Sequence, residues 1–141
     1  MWTTAHNIET DAEPEIIWGM WSDVSRWPEW NADLERAEIS GPFAAGSMVT
    51  MFPRDGEPIE LQIAEAEEPE MFVDEADLGA VVVRTIHRID RIDRLDGERI
   101  RIVYSMEITG PEADTVGPQL GPEISADFPE VLALLVERAH R

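Results

Sequence analysis

From residue 35 to residue 109 the sequence keeps strand spacing almost without interruption. Apolar residues recur at alternate positions in six stretches, 35–40, 46–53, 57–67, 70–77, 80–94 and 98–109. The pairs that separate them favour turns: Gly41-Pro42, Asp55-Gly56, Glu68-Pro69, Leu78-Gly79 and Asp96-Gly97. Of these, Asp55-Gly56 and Asp96-Gly97 are the sharpest hairpin signals. Separators this short leave no room for crossover helices. The pattern therefore predicts an antiparallel meander and excludes a parallel sheet built from βαβ units.

The ends of the chain differ from this middle. Residues 2–9 read as a first strand with Trp2, Thr4, His6 and Ile8 on one face. A helix signal follows. Thr10 and Glu13 have the spacing of a capping box, Pro14 suits a first turn, and Ile17, Met20, Trp21 and Val24 share one helical face. The segment Trp27-Pro28-Glu29-Trp30-Asn31 predicts a second, brief helix opened by Pro28 and ending near Leu34. Helical spacing returns in about 115–140, where Ile124, Phe128, Val131, Leu135 and Ala139 line one face. Pro129 should kink that helix, because proline removes one backbone hydrogen bond and crowds the preceding turn.

This order predicts a single α+β domain over residues 1–141: a curved antiparallel sheet of seven strands, two short helices between the first and second strands, and a long C-terminal helix gripped by the sheet. With 43% hydrophobic residues, a chain of this length can build one sizeable core. A helix is only about 10–12 Å across. One helix cannot fill the concave face of so wide a sheet, so either large side chains fill the remainder or a cavity is left.

Composition narrows the partners. The chain has 30 acidic and 11 basic residues, a formal net charge of −19, and all of the basic residues are Arg. A field of that sign repels phosphate backbones and anionic lipid surfaces, so neither nucleic-acid binding nor membrane insertion is expected. Absence of Lys removes Schiff-base chemistry and a Walker-type phosphate lysine. Absence of Cys removes disulfides and thiolate chemistry. His6, His87 and His140 lack metal-ligand spacing, and neither a metal nor a cofactor is expected. No apolar run approaches the ~20 residues of a membrane helix, and no signal peptide is visible; a cytoplasmic monomer or homodimer is the expectation.

Alternation selects the candidate site. In 80–94 one face reads Val81, Val83, Thr85, His87, Ile89, and the opposite face carries Arg84, Arg88 and Asp90. The less charged face should point inward, taking His87 and Thr85 with it. In 98–109 the inward face reads Ile100, Ile102, Tyr104, Met106, Ile108. Neighbouring antiparallel strands would place His87 close to Tyr104, two polar handles in an apolar enclosure. Met106 on the same strand face, Phe128 on the terminal helix and Trp30 beside the short second helix are further lining candidates, while Trp18 and Trp21 read as core. His87 is either a satisfied core histidine, a ligand contact or, since imidazole titrates near neutrality, a general acid/base.

Several local motifs resemble the START-like, or SRPBCC, superfamily, in particular its polyketide cyclase/dehydrase and lipid-transport branch. They are Asp11-Ala12-Glu13-Pro14-Glu15-Ile16-Ile17-Trp18, Asp23-Val24, Trp27-Pro28-Glu29-Trp30-Asn31, Gly41-Pro42-Phe43 with Gly46, Glu68-Pro69, His87, Asp96-Gly97 and Gly110-Pro111, in that order along nearly the whole chain. The resemblance implies the helix-grip fold and a small apolar or amphipathic ligand held between sheet and last helix. It also implies two alternatives: a polyketide cyclase/dehydrase-like enzyme with His87 as general acid/base, and a protein-interaction module of the chaperone-activator type.

Overall fold

A computed structural model describes residues 1–94 and 97–140. Strands β1 (Trp2–Thr10), β2 (Leu34–Ser40), β3 (Met48–Pro53), β4 (Ile59–Glu67), β5 (Met71–Asp77), β6 (Val82–Arg94) and β7 (Gly97–Thr109) form a seven-stranded antiparallel sheet in the order β1-β7-β6-β5-β4-β3-β2. Each strand expected from alternation is present, with ends displaced by at most two residues. The turn expected at Asp96 lies outside the described residues. Strands β6 and β7 are longer than their neighbours. The last β5 partner of β6 is Arg88, so residues beyond Ile89 pair with β7 only and project as a two-stranded arm. Asp90 and Arg91 lie where this edge of β6 is unpaired, and their charges discourage further pairing there.

Helix α1 (Pro14–Ser22) opens on Pro14, as the sequence predicts. The capping box does not form. Glu13 occupies the cap position without a side-chain hydrogen bond, and the Thr10 hydroxyl accepts from the Ala12 amide at 3.2 Å instead. Strand β1 runs on through Thr10, which puts Thr10 too far ahead of the first turn to cap it. The second short helix is a 3-10 helix over Val24–Glu29 that holds Pro28 inside rather than starting there. Its Trp27 indole donates to the Trp21 carbonyl at 2.9 Å, satisfying a carbonyl of α1's last turn.

The C-terminal helix is two segments, α2 (Ala113–Ser125) and α3 (Phe128–Ala139). Pro129 explains the break. It has no N–H for the Ser125 carbonyl and would crowd that turn, so the chain relaxes at Ala126–Asp127 and Pro129 sits in the first turn of α3. Helix α2 packs on β1 and β7, and α3 on β1, α1 and the 3-10 helix. The buried face of α2 is Ala113, Gly117, Gly121 and Ser125. Trp2 lies against it so closely that a Cβ at Gly121 would come within 2.3 Å of the indole. The buried face of α3 is Phe128, Val131, Leu132 and Leu135. No described helix is long and apolar enough to cross a membrane.

Candidate functional site

Strand register builds two parallel rows across the inner face of the sheet. In one, Phe72 of β5 pairs with His87 of β6, His87 with Tyr104 of β7, and Tyr104 with His6 of β1. In the next, Asp74 pairs with Thr85, Thr85 with Met106, and Met106 with Thr4. The first row is aromatic. The His87 ring stacks on Phe72 with centroids 3.9 Å apart and meets Tyr104 edge-on at 4.6 Å. Phe128 of α3 meets Tyr104 at 5.8 Å. From above, Trp21 of α1 contacts Phe72, His87 and Tyr104, and its indole N–H donates to the Tyr104 hydroxyl at 3.0 Å. Phe43, from the loop between β2 and β3, packs on Trp18 and on Phe72.

These side chains fill the middle of the concave face. Trp21 and Phe72 are 1% exposed and Met106 is 0% exposed. Asp74, His87 and Thr85 on the same face keep some accessible surface. Aromatic packing takes up much of the space between the sheet and the helices. The physical reason is the position of the C-terminal helices over the β1–β7 side, which leaves α1 and Phe43 to cover the rest.

His87, Tyr104, Thr85, Met106 and Phe128 thus come together on one face. Trp30 does not join them. It is buried in a separate cleft of about 10 Å³ with Asp127, Val131 and Leu134, at the junction of the 3-10 helix and α3. A larger exposed cavity of about 260 Å³ lies elsewhere, between the start of α1 and the β6–β7 arm, lined by Asp11, Glu13, Arg91 and Arg99 among others.

Sequence reasoning missed Asp74. Strand β5 carries apolar residues and acids on both faces, Asp74 on one and Glu75 and Asp77 on the other, so the chain does not mark either acidic position as the buried one by residue type alone. The structure buries Asp74 on the inner side, while Glu75 pairs with Arg84 at 2.8 Å on the other. The buried polar or charged residues described are Thr10, Asp74 and Ser125. Thr10 accepts from Ala12, and Ser125 donates to the Gly121 carbonyl at 2.8 Å. No described group donates a hydrogen bond to Asp74. His87 Nε2 lies 4.0 Å from its Oδ2. The side chains of His87 and Asp74 keep 11% and 8% of their surface, enough for a water-sized molecule to touch them.

Burial sets the protonation of this pair. It pushes the Asp74 carboxyl up to about 7, with a smaller contribution from Glu75. It pushes His87 down to about 3, against the opposing hydrogen bond to the Phe72 carbonyl. It also raises the Tyr104 phenol, which stays protonated at neutral pH. His87 Nδ1 lies 3.3 Å from the Phe72 carbonyl oxygen. A carbonyl only accepts, so Nδ1 carries the proton of the neutral imidazole and Nε2 presents a lone pair toward Asp74.

No protein-family model matches the sequence, and no curated protein matches it. Solved structures do resemble it. Truncated norcoclaurine synthase from Thalictrum flavum superposes with a TM-score of 0.67 at 19% identity, over 96% of this chain and 93% of that one. The same enzyme in complex with dopamine and hydroxybenzaldehyde gives 0.64 at 18% identity, over 96% and 86%. The di-domain ARO/CYC protein BexL of the BE-7585A biosynthetic pathway gives 0.70 at 12% identity, over 99% of this chain and 50% of that one. The chain has the helix-grip fold, and its resemblance to the START-like superfamily holds at the level of fold.

Proposed function

We propose that the protein binds a small hydrophobic or amphipathic molecule against the inner face of the sheet, beneath α1 and the C-terminal helices. One observation carries this reading: Asp74 and His87 face each other across 4.0 Å inside an otherwise apolar and aromatic layer, and neither polar edge that meets there has a described hydrogen-bond partner. Both groups keep a small accessible surface, so the unused hydrogen-bonding capacity is open to a small polar atom rather than sealed in the core. A polar atom of a ligand, set between the two groups, supplies the missing contacts. The surrounding Phe72, Tyr104, Met106 and Phe128 would hold the apolar remainder, with Thr85 as a further polar handle. Norcoclaurine synthase, of the same fold, is seen with dopamine and hydroxybenzaldehyde bound, and this supports a small molecule as the class of partner.

Entry requires the aromatic layer to part. Phe43 is its half-buried member and sits on a loop between Gly41 and Gly46, both at positive φ, which is where the loop can pivot. Native mass spectrometry of the purified protein tests the proposal. Adduct masses that are released on denaturation and reduced in an Asp74→Leu variant are expected. Adduct levels unaffected by Asp74→Leu would place binding elsewhere.

A second reading, a cyclase/dehydrase-like enzyme, is favoured by one observation. A carboxyl whose pKa lies near 7 is matched to proton transfer at neutral pH. In that reading Asp74 is the general acid/base, and His87, a weak base at a pKa near 3, orients the substrate by hydrogen bonding. Substrate turnover lost in Asp74→Asn and kept in His87→Gln would support it; the reverse pattern would return the role to His87.

A further inference from the structure

Accepting that the inner face takes a small amphipathic molecule, we infer that its polar end is a protonated amine, held between the Asp74 carboxylate and the Nε2 lone pair of His87. Two acceptors face one another there. His87 Nδ1 is committed to the Phe72 carbonyl, which fixes Nε2 as an acceptor, and the Asp74 carboxylate can only accept. Two acceptors 4.0 Å apart call for a group with at least two donors. An ammonium has three and brings the charge that a desolvated carboxylate lacks.

The neighbours leave that charge unmatched. Thr85 and His87 of β6, Tyr104 of β7, Ile63 of β4 and Trp21 of α1 supply no cation. The nearby Arg84 lies on the opposite face, committed to Glu65 and Glu75. The stacked rings of Phe72 and His87, with Trp21 and Tyr104 around them, suit the apolar part of an organic cation and attract its positive end. Outside, a net charge of −19 raises the local concentration of cations and lowers that of organic acids.

Three probes with the same apolar body separate the possibilities: 4-phenylbutylamine, 4-phenylbutanol and 4-phenylbutyrate, titrated into the 141-residue protein and followed by tryptophan fluorescence and by calorimetry. At pH 8 the amine should bind at least roughly tenfold more tightly than the alcohol, and the acid more weakly than either. As pH falls from 8 to 5 the amine's advantage should shrink, because the proton that Asp74 then takes up replaces the ligand's charge. In Asp74→Asn the amine's advantage should vanish while the alcohol still binds. An alcohol that binds as tightly as the amine at pH 8, or an amine preference that survives Asp74→Asn, would overturn the amine assignment and leave small-molecule binding standing. Failure of all three to bind would overturn both.

Discussion

Trp2 and Trp21 both cover the inner face of the sheet, yet the surfaces they meet are built in opposite ways. Trp2 lies on β1 against the glycines of α2, where Gly117 and Gly121 let the backbone come within contact of the indole. That seam is mainly shape: small residues and a polar residue, Ser125, satisfied within its own helix, with one exposed ion pair at its end, Met1 N to Asp114 at 2.8 Å. Trp21 lies over β5, β6 and β7, where its N–H is spent on Tyr104 and its ring covers His87. Two rows of side chains meet there, one aromatic and one containing a buried acid without a donor. Close packing of glycine on indole leaves nothing for a ligand to complete. The row of Asp74 and His87 leaves hydrogen-bonding capacity unused, and that capacity is the basis for placing function there.

The contrast can be broken by substitution. Trp21→Ala should have the largest effect, about 3–5 kcal/mol, since it empties a fully buried site and strips Tyr104 of its hydrogen bond. Trp2→Ala should cost less, because Trp2 is half-buried; equal losses in urea denaturation would deny that the two tryptophans differ. Gly121→Ala should destabilise by about 1–3 kcal/mol, as overpacking outweighs the helix propensity gained. Combining it with Trp2→Ala should recover part of that loss, and strict additivity of the two would mean that the seam is not a direct contact.

The buried acid sharpens the comparison through pH. Asp74 has a folded pKa of about 7 against an ordinary carboxylate value of 3.8, so the fold is penalised wherever the unfolded chain has ionised it and the folded chain resists. Asp74→Asn should therefore stabilise the protein by roughly 1–3 kcal/mol at pH 8, with the gain shrinking progressively between pH 7 and 4. His87 acts with the opposite pH dependence. Its folded pKa of about 3 lies below the ordinary imidazole value of 6.5, so it penalises the fold increasingly as pH falls from 6.5 toward 3, where the unfolded chain takes up a proton that the folded chain resists. The two pH dependences nearly offset each other in the native protein. His87→Gln should consequently become relatively more stable on acidification, and parallel pH profiles for the two variants would show that neither group is buried as described. The smallest effect is expected from Phe43→Ala, about 1 kcal/mol or less for a half-buried loop residue, together with faster entry of a bound probe in stopped-flow fluorescence.

Most of the fold was legible because strand alternation and turn residues are local signals. Val83, Thr85, His87 and Ile89, set against Arg84, Arg88 and Asp90, identify the inner face of β6 without help from the rest of the chain. The same rule aligned Tyr104 and Met106 on β7. It failed at β5, where Phe72, Asp74 and Ala76 alternate with Val73 and Glu75 and both faces carry an acid. Which acid is buried depends on Arg84 of the next strand drawing Glu75 outward, a tertiary contact that spacing does not encode. Trp30 fails for a similar reason: its side chain follows the 3-10 helix toward α3, and the direction in which a short helix leaves its neighbour is not periodic. The aromatic filling was legible only as one of two outcomes, because the path of α2 and α3 over β1 and β7 is set by Trp2 on the glycines of α2 and by the break at Pro129.

The central claim is that a ligand reaches the row of Asp74, Thr85 and Met106. Methyl-resolved NMR during titration with 4-phenylbutylamine tests it most directly. Met106 is fully buried, so its methyl group senses only what enters the interior. The account predicts saturable shifts at the Met106 and Thr85 methyls and at the Trp21 indole N–H. Shifts confined to residues around the exposed cavity of Arg91 and Arg99, with Met106 unmoved, would contradict it.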